Sequence, residues 1–199
     1  MGKKKIILIF VSNILAVSFW LIIVTLSGIQ TAGVTESFKD LTNNFFSIVI
    51  LGVIIAPVLE EFIFRYPLIN KNTSTNVWIV LGCLYAYQRF NFLLFFIFLV
   101  ISIINFIHYN RYKKERAKRG IVIGYILVFA LMHYGNFDTV QLEQLSFIGF
   151  IFQFLPHAIL GICVSYIRMQ SKFIYVVIYH ASYNLFILSM YHILSLLFA

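Results

Sequence analysis

Long apolar segments, separated by short polar loops, follow one another along almost the whole chain. A helix needs about 20 apolar residues to cross a bilayer, and most of these segments are of that order. The pattern predicts an all-α, polytopic transmembrane bundle of about seven spans. The predicted segments are residues 6–28, 43–68, 77–88, 92–110, 120–136, 145–167 and 173–197.

The third segment, 77–88, is short for a span and is followed by the polar residues Gln88, Arg89 and Asn91. It either forms a hairpin with the fourth segment or joins it in one long bent helix. A single crossing over 77–110 would break the alternation of basic loops with acidic or mixed ones, so seven spans fit the charges better.

The basic residues indicate how the bundle is oriented. Lysines at positions 3–5 precede the first segment, residues 111–120 (RYKKERAKRG) follow the fourth, and Arg168 and Lys172 follow the sixth. Because cytoplasmic loops are enriched in Lys and Arg, the N-terminus is predicted to lie in the cytoplasm and the C-terminus outside.

The composition argues against a soluble domain, since 61% of the 199 residues are hydrophobic and only 11% are charged. We expect a multi-pass protein of the cell membrane, namely of a bacterial inner (plasma) membrane. Residues 1–42 would form an uncleaved N-terminal span and loop, and residues 43–199 the core. The net charge of +8 comes from the ends of apolar segments. The expected partner is therefore the lipid bilayer and not nucleic acid.

Small residues at a spacing of four mark two segments for close helix packing. Gly120 and Gly124 open the fifth segment, and Gly161 and Ser165 lie in the sixth. Such spacing lets two helix backbones approach each other in a membrane.

Three charged residues follow the apolar run of the second segment: Glu60, Glu61 and Arg65. A charge at mid-membrane costs about 2.5–3.5 kcal/mol on insertion scales, so each needs a partner or water. Glu61 and Arg65 have the i,i+4 spacing of an ion pair. Glu60, rotated about 100° around the helix, is then expected to point into the bundle. The alternative is that all three extend to water at the cytoplasmic surface.

Polar residues also interrupt the later segments. His133 comes one turn after Phe129, and His180 and Asn184 share one face of the last segment at i,i+4 spacing. The structural alternative for each is a hydrogen bond that ties helices together. His157, which follows Pro156 in the sixth segment, could line a cavity but is not included among the candidate site residues.

Depth in the membrane is consistent with one shared site. At 1.5 Å per residue from the predicted cytoplasmic ends, Glu60 lies roughly 15 Å deep, His133 roughly 20 Å, His180 roughly 10 Å and Asn184 roughly 16 Å. These depths permit a single cavity that opens toward the cytoplasm.

The three motifs together resemble those of the CAAX protease and bacteriocin-processing family, also called CPBP or Abi. They are Glu60-Glu61-x-x-x-Arg65, Phe129-x-x-x-His133 and His180-x-x-x-Asn184, in that order on separate spans. The resemblance covers roughly residues 45–197. One departure is that two further apolar segments (77–110) and a basic loop separate the first motif from the second.

The resemblance implies an intramembrane endopeptidase. In that case Glu60 is the general base that activates water, and His133 holds that water. His180 and Asn184 stabilise the oxyanion. Glu61, Arg65 and Phe129 support the site.

The cofactor is left open by the sequence. Glu60, His133 and His180 would also serve as the protein ligands of a catalytic Zn²⁺ with an open position for water, and the family is often labelled a metalloprotease. However, the chain has no H-E-x-x-H motif. A metal-free glutamate mechanism is slightly favoured.

The resemblance also implies a substrate class, namely a membrane-embedded or lipidated peptide or protein. The main alternative is a non-catalytic membrane scaffold, or a bacteriocin self-immunity protein, of the same fold. Intact motifs argue against it. A small transporter is a third hypothesis, but neither an internal repeat nor a pair of broken helices supports it.

Overall fold

The fold is known from a computed structural model that describes residues 2–29, 47, 49–69, 92–112 and 117–197. Within this part of the chain the regular elements are helices, and the predicted all-α class is confirmed. The α-helices are α1 (Lys3–Ser27), α2 (Ala56–Phe64), α3 (Phe92–Tyr112), α4 (Arg119–Met132), α5 (Thr139–Glu143), α6 (Phe147–Gln170) and α7 (Phe173–Leu197).

Membrane-spanning character is evident in the long helices. Among the residues that the structure describes, three stretches are long and apolar enough to cross a bilayer: Lys4–Val24, Phe147–Gln170 and Phe173–Met190. Two shorter apolar stretches lie in α3 and α4. The predicted segment 77–88 lies outside the described residues, so the count of seven spans stays a prediction.

The second predicted segment, 43–68, is not one continuous α-helix over its described residues. A π-helical segment (Val49–Ile55) leads into α2, and a 3-10 turn (Tyr66–Leu68) follows it. Two prolines account for the boundaries. Pro57 has no N–H to donate to the carbonyl one turn before it, and the change from π-helix to α-helix lies directly before this proline. Pro67 would remove another such bond if α2 continued, and α2 ends three residues before it.

Aromatic side chains of α2, α3 and α4 pack together in the core of the bundle. Phe64 of α2 lies edge-to-face with Phe129 and Tyr125 of α4 and with Phe98 of α3, at ring-centroid distances of 5.5–6.5 Å. Such contacts add to the stabilisation that comes from burial of apolar area. At Gly124, a Cβ would lie 2.9 Å from Ile101 Cδ1, so this glycine allows the close approach of α3 and α4.

The basic ends of the helices meet at one end of the bundle, as the loop charges predict. The Lys5 ammonium lies 5.7 Å from the centre of the Tyr166 ring. Arg168 Nε donates to the Arg65 carbonyl at 3.2 Å, and the Ala117 N–H donates to the Leu68 carbonyl at 3.1 Å. The assignment of this end to the cytoplasm stays a prediction.

The first helix is held against the core by polar contacts. Trp20 Nε1 donates to the Phe152 carbonyl at 2.8 Å. That carbonyl lies four residues before Pro156, whose missing N–H leaves it without the usual helical donor. Asn13 Nδ2 donates to the Tyr179 hydroxyl at 2.9 Å. Helix α1 is therefore packed as an integral part of the bundle.

Candidate active site

An ion pair and a histidine tie α2 to α7 in the centre of the bundle. Glu61 and Arg65 are fully buried, and His180 is 1% exposed. The predicted i,i+4 pair is present, with Arg65 Nη1 3.6 Å from Glu61 Oε1. The same carboxylate oxygen accepts a hydrogen bond from His180 Nδ1 at 2.8 Å. Buried charges of opposite sign compensate one another only in such close arrangements.

Glu60 lies on the other side of the same histidine. Its Oε2 atom is 3.7 Å from His180 Nε2, and the residue is 8% exposed. His180 therefore lies between two carboxylates, with one ring nitrogen toward each. The expectation that Glu60 points into the bundle is confirmed. The alternative in which these charges extend to surface water is wrong, since the protein buries all three.

The Arg65 guanidinium is accommodated by an aromatic ring and by a missing side chain. It lies 3.9 Å from the centre of the Phe129 ring, which is a cation–π contact. In α6, a Cβ at Gly161 would lie 3.2 Å from both Arg65 Nη2 and Phe129 Cδ1. The predicted small-residue spacing at Gly161 thus makes room for the buried arginine.

Gly161→Ala is expected to destabilise the protein by up to about 2 kcal/mol. Overpacking costs about 1–3 kcal/mol, and the three neighbours of the new methyl group, Arg65, Phe129 and Ile126, are all buried. A better helix former offsets about 1 kcal/mol of that cost. The measurement is the free energy of unfolding in detergent. The matched control is Gly120→Ala, where a Cβ meets nothing within 4 Å. Equal effects at the two positions would contradict the expectation.

His133 lies where α4 tightens into a 3-10 turn (His133–Asn136). The His133 backbone N–H bonds to the Ala130 carbonyl, so the Phe129 carbonyl loses its usual donor from the backbone. The His133 side chain takes that place, with Nδ1 2.9 Å from the Phe129 oxygen. Because a carbonyl only accepts, Nδ1 carries the proton, and Nε2 of the neutral ring is a hydrogen-bond acceptor.

His157 is the residue that the sequence interpretation passed over. Its ring is stacked on that of His133, with centroids 4.0 Å apart and planes at 32°. The Phe129 ring lies between the histidines of α4 and α7, at 5.0 Å from His133 and 5.8 Å from His180. A signal was available, since His157, Gly161 and Ser165 follow one another at i+4 spacing on one helix face.

Asn184 contacts the segment before α2. Its Nδ2 donates to the Gly52 carbonyl at 2.8 Å, within the π-helical segment. His180 and Asn184 share one face, as their spacing predicts, and both meet residues 49–61. An amide nitrogen carries two hydrogens, so one donor of Asn184 is used by this contact.

The metal hypothesis was tested against the donor arrangement. Among the residues described, no group of three His, Cys, Asp or Glu side chains is placed to hold a metal ion. His180 Nδ1 is engaged by Glu61, and its Nε2 faces Glu60. The predicted set of Glu60, His133 and His180 does not fit a zinc first shell in this arrangement, and no step is derived through zinc.

By its fold and site, the protein belongs to the class of α-helical membrane bundles that bury two carboxylates against a histidine. A family model described as Type II CAAX prenyl endopeptidase Rce1-like matches residues 42–186, and the chain belongs to this family. Membership implies CAAX-type intramembrane protease activity in general and a membrane-associated peptide or protein as substrate. Searches of curated proteins and of solved structures gave no match.

Proposed function

We propose that the protein hydrolyses a peptide bond of a membrane-embedded or lipidated peptide or protein, with a water molecule activated by Glu60. One observation carries the proposal: His180 is buried between the carboxylates of Glu60 and Glu61, at 3.7 and 2.8 Å. In a buried site, a carboxylate can act as the base that activates water for addition to a carbonyl carbon. An imidazole beside it can donate a hydrogen bond to the carbonyl oxygen.

The proposed reaction begins when Glu60 takes a proton from water. The oxygen of that water bonds to the carbonyl carbon of the substrate, and the electron pair of the C=O bond moves to its oxygen. The electron pair on the oxyanion then re-forms the C=O bond, the C–N bond breaks with its pair on nitrogen, and Glu60 returns the proton to that leaving nitrogen. His133 Nε2, an acceptor in the tautomer set by the Phe129 carbonyl, would hold the water through its other hydrogen.

His180 has to donate from Nε2 in order to stabilise the oxyanion. Because Nδ1 already donates to Glu61, Nε2 carries a hydrogen only in the imidazolium form. The Asn184 amide supplies a second donor through the hydrogen not used by Gly52. Glu61, Arg65 and Phe129 would keep His180 in place.

The proposal is tested in cells that make the wild-type chain or His133→Ala, by mass spectrometry of peptides from membranes and medium. We expect a defined peptide to be at least about tenfold less abundant with the variant, because water is no longer positioned. Equal accumulation of the two chains is the control for folding. Matching peptide profiles, with a wild-type phenotype that survives the substitution, would favour the scaffold or self-immunity alternative.

The effect of a chelator on activity distinguishes the metal-free mechanism from a zinc mechanism. Detergent-solubilised wild-type protein is incubated with the uncleaved precursor of the identified peptide, with and without a strong chelator. A metal-free mechanism predicts the same rate in both. Loss of activity on chelation and its return with added Zn²⁺ would overturn the metal-free proposal.

A further inference from the structure

His157 lies outside the three motifs, yet it makes a close ring contact with one of the proposed site residues. It stacks on His133 at 4.0 Å, with ring planes 32° from parallel. Phe137 closes the other side of the contact, edge-on to His157 at 6.0 Å and 77°. The His157 ring of α6 thus contacts both the start and the end of the turn that follows α4.

The contact repeats a pattern one turn away. Gly161 of α6 faces Phe129 of α4, and four residues earlier in α6 His157 faces His133, four residues later in α4. The two helices run antiparallel, so both pairs belong to one interface. The first pair makes room for Arg65, and the second fixes a histidine ring.

The His133 ring is held at its edge and along its face. The bond from Nδ1 to the Phe129 carbonyl fixes one edge of the ring. The flat His157 ring, with its centroid 4.0 Å away, restricts the plane in which the His133 ring lies. Stacked or offset aromatic pairs provide such orientation in addition to apolar burial.

We propose that His157 is a positioning residue for the hydrolysis: by stacking on His133, it holds that imidazole with Nε2 toward the reacting water. The inference rests on the proposed function, since the orientation of His133 matters only if His133 holds the water. His157 itself acts through His133 and does not need to touch the substrate.

The test uses three substitutions of His157 that distinguish the contribution of its flat ring from the contribution of its ring nitrogens. His157→Phe keeps a flat ring, His157→Asn keeps a polar group near the position of Nδ1, and His157→Ala keeps neither. In the cellular peptide assay, the Phe variant is expected to form product within about threefold of wild type. The Asn and Ala variants are expected to form at least about tenfold less, a loss typical of a misplaced catalytic group.

A second readout needs no substrate. In protein labelled with ¹⁵N-histidine, the His133 ring should show one tautomer, protonated at Nδ1, in wild type and His157→Phe. In His157→Ala the ring is released, so a mixture of tautomers is expected. If His133→Ala removes most of the activity, adding His157→Ala to it should cause little further loss, since residues that act as one unit are not additive.

The proposal is overturned if His157→Phe loses as much product as His157→Ala, or if His157→Ala matches wild type in product and in the His133 spectrum. Glu60→Gln, measured alongside, keeps the two ideas apart. If Glu60→Gln leaves product formation unchanged, the proposed function fails. A changed His133 tautomer in His157→Ala would still support the positioning contact.

Discussion

Glu60→Gln is expected to lower the rate of peptide hydrolysis by about 10²–10⁴-fold, the usual contribution of a general base, with little loss of stability. The substitution keeps the shape of the side chain and removes its ability to take a proton. Glu60 Oε2 lies 3.7 Å from His180 Nε2, and the amide of glutamine occupies the same space as the carboxylate that it replaces.

The neighbouring substitution, Glu61→Gln, is the matched control, and it should show the opposite balance. It makes the same isosteric change one residue away, but it removes the carboxylate that faces both Arg65 and His180. Arg65 is fully buried and would be left with an uncompensated charge. Breaking a buried pair costs about 3–5 kcal/mol, so the Glu61→Gln chain should unfold far more easily.

Two measurements on each variant check this pair of expectations: the initial rate of cleavage of the precursor of the identified peptide, and the free energy of unfolding in detergent. Activity should fall without unfolding for Glu60→Gln, and stability should fall for Glu61→Gln. If Glu60→Gln retained wild-type rates while Glu61→Gln was stable and inactive, the roles of base and support would have to be exchanged.

The second large effect is expected at His180, whose two ring nitrogens have different partners. His180→Asn keeps a short donor near Nδ1, toward Glu61, and loses the group at Nε2. His180→Gln reaches the position of Nε2 and loses the donor to Glu61. We expect His180→Asn to reduce kcat by about 10²–10³-fold, as removal of an oxyanion donor does, while the protein stays folded.

Compared with His180→Asn, His180→Gln should be more active but less stable. Without the donor at 2.8 Å, the buried Glu61 oxygen loses a hydrogen bond, which costs about 1–3 kcal/mol. The checks are kcat for the precursor of the identified peptide and the midpoint of thermal unfolding for both variants. Equal kcat values in two folded variants would mean that Nε2 makes no special contribution, and the oxyanion role of His180 would be withdrawn.

Several parts of the site could be predicted because polar residues are rare in apolar segments. Glu60, Glu61 and Arg65 stand out for the cost of burying charge, and the i,i+4 rule predicts which carboxylate pairs with the arginine. The same spacing predicts that His180 and Asn184 share a face. These inferences need only a helix and a bilayer, so they hold before any tertiary contact is known.

Other parts depend on which helices meet. His157 gains its importance only from the antiparallel contact of α6 with α4, which brings its ring onto His133. Asn184 meets the Gly52 carbonyl because the π-helical winding before α2 changes the register there. The interpretation of 43–68 as one regular span missed that change, since hydropathy does not distinguish one helical winding from another.

The sequence by itself determined the all-α membrane class, the approximate bounds of the helices and the ion pair of Glu61 with Arg65. Each follows from local spacing and from the cost of moving polar groups into lipid. Only the tertiary structure decided that His180 lies between Glu60 and Glu61, that Arg65 is stacked on Phe129 beside Gly161, and that His157 supports His133. Those contacts join residues more than 20 positions apart, and the packing of whole helices, which no local pattern specifies, brings them together.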